Sequence, residues 1–136
     1  MLLAVGWATV ELDRAAATLL PLLVPGATFA DAAPCGHLGA WCRIGRADRG
    51  PGGEAGAFVI LMEPSTEGRL AATLARHGEG WWATWETGWS RDRPADANAI
   101  RASQVRPGPL GPEWLALGSP VGGPHRLLVE PATIET

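Results

Sequence analysis

The chain of 136 residues contains no lysine, only two cysteines, and few charged side chains, which make up 18 per cent of it. Without lysine, catalysis through a Schiff base is excluded. Cys35 and Cys42 are separated by six intervening residues and lie outside any CxxC pattern. A disulfide framework or a zinc knuckle needs more cysteines at closer spacing. We therefore expect a reduced, cytoplasmic protein.

Positive charge is also sparse, because eleven arginines are scattered along a chain of net charge −3. Phosphate binding needs a concentrated basic surface, so nucleic acid is excluded as a partner. The apolar start "MLLAVGWATVELDRAAATLLPLL" has no positive charge ahead of it, and Glu11, Asp13 and Arg14 interrupt it. It does not reach the length of a membrane span or match a signal peptide. With 46 per cent hydrophobic residues, the chain is expected to fold around one core.

The first half of the chain predicts a strand, a helix and three further strands. "LLAVGWATVEL" has the apolar, β-branched content of a buried strand, and "DRAAATLLPLL" then favours a helix. Short strands are predicted around "ATFADA" and "LGAWCRIG", and a clear one at "AFVILME".

The second half repeats this order after a linker helix, "EGRLAATLARH". "WWATWETGW" is predicted as a strand and "ADANAIRAS" as a short helix. The closing strands are predicted near "QVRPG", "EWLALGS" and "HRLLVEP".

Two sequence echoes indicate an internal duplication. "ILMEPST" at 60 to 66 returns as "LLVEPAT" at 127 to 133, and "WATVE" at 7 to 11 returns as "WATWE" at 82 to 86. Their offsets differ, so both cannot be in register. The first is the more informative, because it lies at the end of a repeat in both copies.

On these segments the chain resembles the vicinal oxygen chelate superfamily, which includes glyoxalase I, methylmalonyl-CoA epimerase, extradiol dioxygenases and bleomycin-resistance proteins. "AVGWATVELDRAAATLLPLL" is similar to the family's opening strand and helix, and "GGPHRLLVEP" to its closing strand. "VILMEPSTEGRLAATLARHGEGWWATWE" is similar to the segment that joins the two modules in the epimerase-like branch.

The resemblance implies an α+β fold in which two βαβββ modules form a curved half-barrel sheet around a cavity. Residues 1–136 would form a single glyoxalase-like domain. Module one would span about 1–64, the linker helix about 66–78 and module two about 79–133.

The resemblance also implies where the family holds its divalent metal ion, with one ligand from the first and last strand of each module. Carried onto this sequence, the four positions are Ala4, Ile60, Ala83 and Leu127. None of these side chains has an imidazole, carboxylate or thiolate donor. We therefore expect no metal and no other cofactor.

In place of metal ligands, the cavity is expected to be lined by indoles and apolar side chains. If Ala83 faces the cavity, strand alternation turns Trp81, Trp85 and Thr87 to the same side. The small residues at 4, 6 and 8 on the first strand would leave space. Indole rings suit flat ligands, although tryptophans also fill cores and line dimer interfaces. The predicted ligand-binding residues are Trp81, Trp85, Trp89, Trp41, Trp114, Phe58, Ile60, Met62 and Leu127.

Few residues are candidates for chemistry, and no Ser-His-Asp or Cys-His order is present. His125 precedes the last strand, where it is either a general base near the cavity or a solvated loop histidine. Glu86 and Glu79 lie near the tryptophans, with solvated surface positions as the alternative. Cys42 is interpreted as an inert core thiol, and the role of His37 is open.

Two main functions follow. The first is a metal-independent protein that binds a small hydrophobic or aromatic molecule in its Trp-rich cavity, as the antibiotic-resistance members of the superfamily do. The alternative is a metal-free isomerase, cyclase or lyase with a His or Glu general base, which a buried carboxylate or histidine with a perturbed pKa in the same cavity would favour. A third hypothesis is a degenerate subunit or regulatory partner that acts through its protein interface. The resemblance also implies a homodimer.

Overall fold

The architecture is a curved sheet with two helices. The computed structural model describes residues 2–48, 57–87, 101–102, 104–117 and 124–129. The described strands are β1 Leu2–Ala8, β2 Ala33–Cys35, β3 Ala40–Arg46, β4 Phe58–Pro64, β5 Gly80–Glu86, β6 Arg101–Ala102, β7 Arg106–Gly108, β8 Gly111–Leu117 and β9 His125–Val129. The helices are α1 Leu12–Leu19 and α2 Arg69–His77, and a 3-10 turn at Leu20–Leu22 follows α1.

The strand order shows that the second half of the sheet repeats the first. The described strands lie in the order β2-β3-β4-β1-β5-β9-β8-β6, and β7 also pairs with β8. β1 is parallel to β4, as β5 is to β9, and β1 is antiparallel to β5. The order β2-β3-β4-β1 therefore returns as β7-β8-β9-β5. This confirms the α+β class and the paired modules of a curved, half-barrel sheet.

The strand register also identifies equivalent residues in the two modules. Gly6 pairs with Ile60, and Trp85 pairs with Leu127. Ile60 and Leu127 open the echo "ILMEPST" and "LLVEPAT", so Gly6 and Trp85 occupy equivalent places. The second echo is not in register, because it would make Gly6 equivalent to Trp81 instead.

Two of the predicted elements are corrected. The strand expected at "ATFADA" lies later, at β2, because Arg43 takes the carbonyl oxygens there: its guanidinium donates to Ala30 O at 2.8 Å and to Phe29 O at 3.0 Å. A regular strand ladder would offer those oxygens to backbone N–H groups. The helix predicted at "ADANAIRAS" falls mostly outside the described residues, but Arg101–Ala102 within it form β6.

The two outer strands of the modules approach each other, so the sheet nearly closes. Gly36 N donates a hydrogen bond to Pro107 O at 3.1 Å, which links the end of β2 to β7. His37 lies beside this link, with Nε2 3.1 Å from Glu113 O and a hydrogen bond to the backbone of Gln104. Because a carbonyl only accepts, Nε2 carries the hydrogen. His37 thus ties the two modules together at the closing edge.

Each face of the sheet has its own core. On the convex face, α1 packs its Leu12 and Ala15 against Val59 and Leu61. On the concave face, Leu70 of α2 packs with a larger set, the concave cluster. The buried members of the concave cluster are Ala4, Ala8, Cys35, Leu38, Ala40, Cys42, Ile60, Met62, Leu70, Ala83, Trp85, Leu115, Leu127 and Val129. Among the described residues, neither helix is long and apolar enough to cross a membrane.

Candidate functional site on the concave face

The four positions that hold metal ligands in the resembling family lie together at the centre of the concave face. Ala4, Ile60, Ala83 and Leu127 are all members of the concave cluster, and each is 1 per cent exposed or less. Strand pairing explains this placement, since β4, β1, β5 and β9 are adjacent in the sheet. The four residues that the resemblance aligned with the metal ligands therefore lie on one face of the sheet.

These residues do not fit a divalent metal ion. Methyl, isobutyl and sec-butyl side chains offer no lone pair to a cation. Within the described ranges, no group of three or more His, Cys, Asp and Glu side chains is placed to share a metal ion. No step of chemistry on this face can be derived through a metal held by these residues.

Trp85 fills the space that the small residues of β1 leave open. Its side chain is fully buried in the concave cluster, and a Cβ added to Gly6 would lie only 2.7 Å from its Cζ3. The same added Cβ would lie 2.9 Å from Met62 Cε. Gly6, Ala4 and Ala8 were expected to leave a roomy cavity, but Trp85 and Met62 occupy the room beside Gly6.

A β-bulge sends Trp81 to a different place from Trp85. The register between β1 and β5 shifts after the Gly6 and Ala83 pair, so that Trp7 is opposite Trp81. The two rings meet edge to face, with centroids 5.0 Å apart. Trp7 packs against the cluster under α1. Trp81, expected on the cavity side, therefore lies with Trp7 and is 43 per cent exposed.

The other tryptophans are dispersed over the molecule. Trp82 is half-buried against the concave cluster, where Nε1 donates to Gly78 O at 3.0 Å and the ring lies against His77. Trp41 is 45 per cent exposed on β3, and Trp114 is buried in a separate small cluster with Ala116 and Leu128. Trp89 lies outside the described residues. Of the predicted Trp set, Trp85 alone is placed in the concave cluster among the described residues.

The buried charged group of this face is Glu113, on β8. Its side chain is fully buried; Trp85 Nε1 donates to Oε1 at 3.0 Å, and Cys35 Sγ donates to Oε2 at 3.2 Å. Burial raises the pKa of Glu113 to about 7, although the hydrogen bonds from Trp85 and Cys35 act to lower it. A carboxyl whose pKa lies near neutral pH can both give and take a proton under ordinary conditions.

The residues next to Glu113 leave just enough room for its carboxyl group. A Cβ added to Gly108 on β7 would overlap the carboxyl group, so only glycine fits there without displacing it. Cys35 has a second partner, because its sulfur is also hydrogen-bonded with the Cys42 thiol, which acts as the donor. The neighbouring Cys42 and burial raise the pKa of the Cys35 thiol well above its ordinary range. Both cysteines are free and buried, as expected for a core thiol at Cys42, while its inertness stays a prediction.

Sequence reasoning missed Glu113, although a signal was present. In "EWLAL" an acidic residue alternates with leucines, so Glu113 and Leu115 share one side of the strand. The sequence did not show that this side of β8 is buried on the closing edge of the sheet. That depends on β7 and β2, which reach it from distant parts of the chain.

The two predicted catalytic candidates hold structural elements together. His125 Nε2 lies 2.8 Å from Thr73 Oγ1, which joins β9 to α2, and burial lowers the pKa of His125. Glu86 binds Arg126 through both of its carboxylate oxygens, at 2.8 and 3.1 Å. The hydrogen bonds from Arg126 lower the pKa of Glu86. Because Glu86 alternates with Trp85, it points away from the concave face.

Two further carboxylates stabilise the start of α1. Glu63 Oε1 accepts the Leu12 backbone N–H at 3.1 Å, an open donor of the first helical turn. This places Glu63 in a structural role at the end of its strand, as expected, while Glu130 lies outside the described residues. Glu79 Oε2 accepts from Thr9 Oγ1 and Val10 N, each at 2.9 Å. Its backbone bond to Val10 is the main reason why the pKa of Glu79 is lowered.

A half-buried apolar rim borders the concave cluster at one end. Leu3, Ile44 and Phe58 are partly exposed and pack against the cluster from β1, β3 and β4. The Arg46 guanidinium lies 5.6 Å from the centre of the Phe58 ring. This rim therefore combines half-buried apolar side chains with a cationic group.

Known structures similar to this chain exist, but no sequence family matches it. No protein-family model matches the chain, and no curated protein sequence matches it. Among solved structures, methylmalonyl-CoA epimerase from Mycobacterium tuberculosis is similar, with a TM-score of 0.68 and 22 per cent identity. The match covers 96 per cent of this chain and 87 per cent of that protein.

Two further structures give the same result. A variant of Streptomyces coelicolor methylmalonyl-CoA epimerase, in complex with 2-nitronate-propionyl-CoA, matches with a TM-score of 0.69 and 19 per cent identity over 99 per cent of this chain and 96 per cent of that one. A hypothetical protein from Bacillus halodurans C-125 matches with a TM-score of 0.67 and 16 per cent identity, covering 96 and 93 per cent. The chain therefore has the fold of the methylmalonyl-CoA epimerases, which are members of the vicinal oxygen chelate superfamily.

Proposed function

We propose that this protein binds a small hydrophobic or aromatic molecule on its concave face without a metal ion. The observation that carries the proposal is the apolar character of Ala4, Ile60, Ala83 and Leu127, which lie packed together where the resembling family holds its metal. An apolar concave surface with a few polar groups is the usual character of a small-molecule site.

The rim formed by Leu3, Ile44 and Phe58 is the proposed entrance. Half-buried apolar side chains that border a core lose water when a ligand covers them, and this favours binding. Arg46 beside Phe58 adds a cation that an acidic or electron-rich aromatic ligand would contact. The rim leads inward to Ile60, which pairs with Ile44 across the sheet.

Titration of the intrinsic tryptophan fluorescence tests this proposal. The wild-type protein is titrated with planar aromatic natural products and CoA thioesters, with and without EDTA, and the compounds are recovered for mass spectrometry. We expect saturable binding that EDTA does not change. Binding that disappears with EDTA contradicts metal independence, and the absence of saturable binding across the panel contradicts the binding function.

A matched pair of variants locates the site. Phe58→Ala removes an aromatic ring from the rim, and Trp41→Ala removes an exposed ring from β3 that is not part of the concave cluster. We expect Phe58→Ala to weaken binding by about tenfold, the order of effect of a large interface side chain, and Trp41→Ala to leave it unchanged. The reverse pattern would place the ligand elsewhere.

A second candidate is a metal-free isomerase, cyclase or lyase, and Glu113 is the observation that favours it. Its buried carboxyl has a pKa of about 7 and contacts Trp85 in the concave cluster. Such a group suits proton transfer near neutral pH. An altered product recovered from the titration, absent with Glu113→Gln, would favour this candidate over sequestration.

A further inference from the structure

The Trp85 indole lies among small apolar residues of the concave cluster. One edge of the ring lies against Gly6, the residue equivalent to Trp85 in the other module, and Met62 lies on the same small residue. Ala4 and Ala83, also in the concave cluster, are alanines. A planar ring is thus held in a space bordered by small apolar residues, and in this structure the ring comes from the protein itself.

The far side of this space ends in the Glu113 carboxyl, whose two oxygens each accept one hydrogen bond from a described residue. An ionised carboxylate has about four acceptor sites. From the residues that the structure describes, Glu113 receives the Trp85 indole N–H and the Cys35 thiol, which is a weak donor. None of the ion pairs among those residues involves Glu113.

A buried carboxyl with no cationic partner is a costly choice for a structural residue. Desolvation disfavours its charged form, and an apolar side chain of similar size would pack without that penalty. Gly108 adds to the cost, since β7 must keep a glycine where the carboxyl lies. The presence of the carboxyl is explained if it recognises a donor that arrives from outside and takes the place of the Trp85 N–H.

We infer that the ligand is a planar heteroaromatic molecule with a ring N–H, which displaces the Trp85 indole and donates that N–H to Glu113. This inference rests on the proposed binding function and names the class of ligand for it. Trp85 acts as an internal occupant of the site: its ring rotates out when the ligand enters, and one indole-type donor replaces another. The exchange is reversible and breaks no covalent bond.

The inference predicts selectivity for the N–H group itself. A ligand of the same shape without the donor would leave the Glu113 acceptor unpaired in a buried site, and such a loss weakens binding. Indole and benzofuran form a matched pair, because they differ in the N–H that benzofuran replaces with oxygen. Indole is expected to bind roughly tenfold or more tightly than benzofuran.

The test uses the whole wild-type chain, with calorimetric titration of indole and of benzofuran. In parallel, the indole Nε1–H signals of 15N-labelled tryptophan are followed by NMR, with the Trp85 signal assigned by its loss in Trp85→Phe. We expect indole to bind preferentially and to shift the Trp85 Nε1–H signal. The Trp85 Nε1 hydrogen should also exchange with solvent faster, because the ring has left its buried position.

Two variants separate recognition from simple cavity filling. Trp85→Leu removes the internal occupant, so indole should bind about tenfold more tightly than to the wild type. Glu113→Leu should reduce the preference for indole over benzofuran to less than about twofold, and Glu113→Gln, which keeps an acceptor oxygen, should retain part of it. If Glu113→Leu does not fold, the Gln variant and the wild type still decide the result.

Four results would overturn the inference. Equal binding of indole and benzofuran, or a preference that survives in Glu113→Leu, removes Glu113 as the recognition group but leaves the proposed binding function intact. Binding to Trp85→Leu with none to the wild type shows an ordinary tryptophan-shaped core. No binding of either probe to any form also overturns the ligand class, and the fluorescence panel then judges the binding function separately.

Discussion

The indole Nε1 of Trp85 donates a hydrogen bond of 3.0 Å to Oε1 of Glu113, and both side chains are fully buried. The bond joins β5 to β8, which are separated in the sheet by β9. It therefore spans the concave face instead of linking adjacent strands. The behaviour of this pair is the most direct test of how the concave face is organised.

Glu113 should make the protein less stable as the pH rises. Its folded pKa of about 7 lies above the ordinary value of 4.5, so the folded chain holds this proton more tightly than the unfolded chain. The contribution of the protonated Glu113 to the free energy of unfolding is complete below about pH 4.5. It is lost as the pH rises to about 7, which lowers the free energy of unfolding by about 3 kcal/mol. Glu113→Gln, which stays neutral, should be more stable than the wild type at pH 8, as measured by urea denaturation.

Glu86 is the matched control, because its pKa is shifted in the opposite direction. Arg126 lowers the pKa of Glu86, so its stabilising effect is present above the ordinary pKa and is lost as the pH falls. Glu86→Gln should cost no more than about 1 kcal/mol at pH 7, since the pair is partly exposed. Equal pH dependence in wild type and Glu113→Gln would contradict the assignment of the buried carboxyl.

Substitution of Gly6 should be costly because of Trp85. In Gly6→Ala the new methyl carbon would meet the Trp85 ring at 2.7 Å, so the ring or the strand must shift. We expect the free energy of unfolding to fall by about 1–3 kcal/mol, as for other overpacked cores. Chemical denaturation measures this value.

A double-mutant cycle identifies the partner. Trp85→Leu alone should also destabilise the protein, but Gly6→Ala should cost much less in the Trp85→Leu background. Additive effects of the two substitutions would mean that the Gly6 methyl clashes with something other than the Trp85 ring.

Gly108→Ala should displace the Glu113 carboxyl, because the added methyl group overlaps it. The hydrogen bonds from Trp85 and Cys35 would then be lost or lengthened, leaving the carboxyl less well satisfied. We expect a loss of about 1–3 kcal/mol in the free energy of unfolding and a shift of the Trp85 Nε1–H resonance. An unchanged resonance would show that the carboxyl is not held against Gly108.

Divalent metal ions should not stabilise the folded chain. A cation that binds only the folded state raises the melting temperature, and Ala4, Ile60, Ala83 and Leu127 provide no donor for one. The melting temperature with Mn²⁺, Co²⁺ or Zn²⁺ should equal that with EDTA. A rise of several degrees with one ion would contradict the proposed metal independence.

The fold was predictable from sequence because it depends on the order of elements and on the repeated segment. Strands β1, β4, β5 and β9 were expected close to where they lie, and the "ILMEPST" echo correctly aligned Ile60 with Leu127. The single-domain boundaries, the homodimer and the cytoplasmic location stay predictions.

The site was less predictable, since it depends on register and on long-range contacts. Strand alternation correctly placed Trp85 with Ala83, but a bulge opposite Gly6 reversed the expectation for Trp81. Alternation cannot reveal a bulge, because a one-residue shift changes the side on which a residue lies.

The sequence by itself determined the paired modules and the apolar character of the four central positions, because periodicity and residue chemistry are local properties. Only the tertiary structure decided that Trp85 fills the concave face and that Glu113 is buried beside it. Those contacts join residues from β1, β2, β5, β7 and β8, and the burial that raises the pKa of Glu113 exists only once these strands have come together.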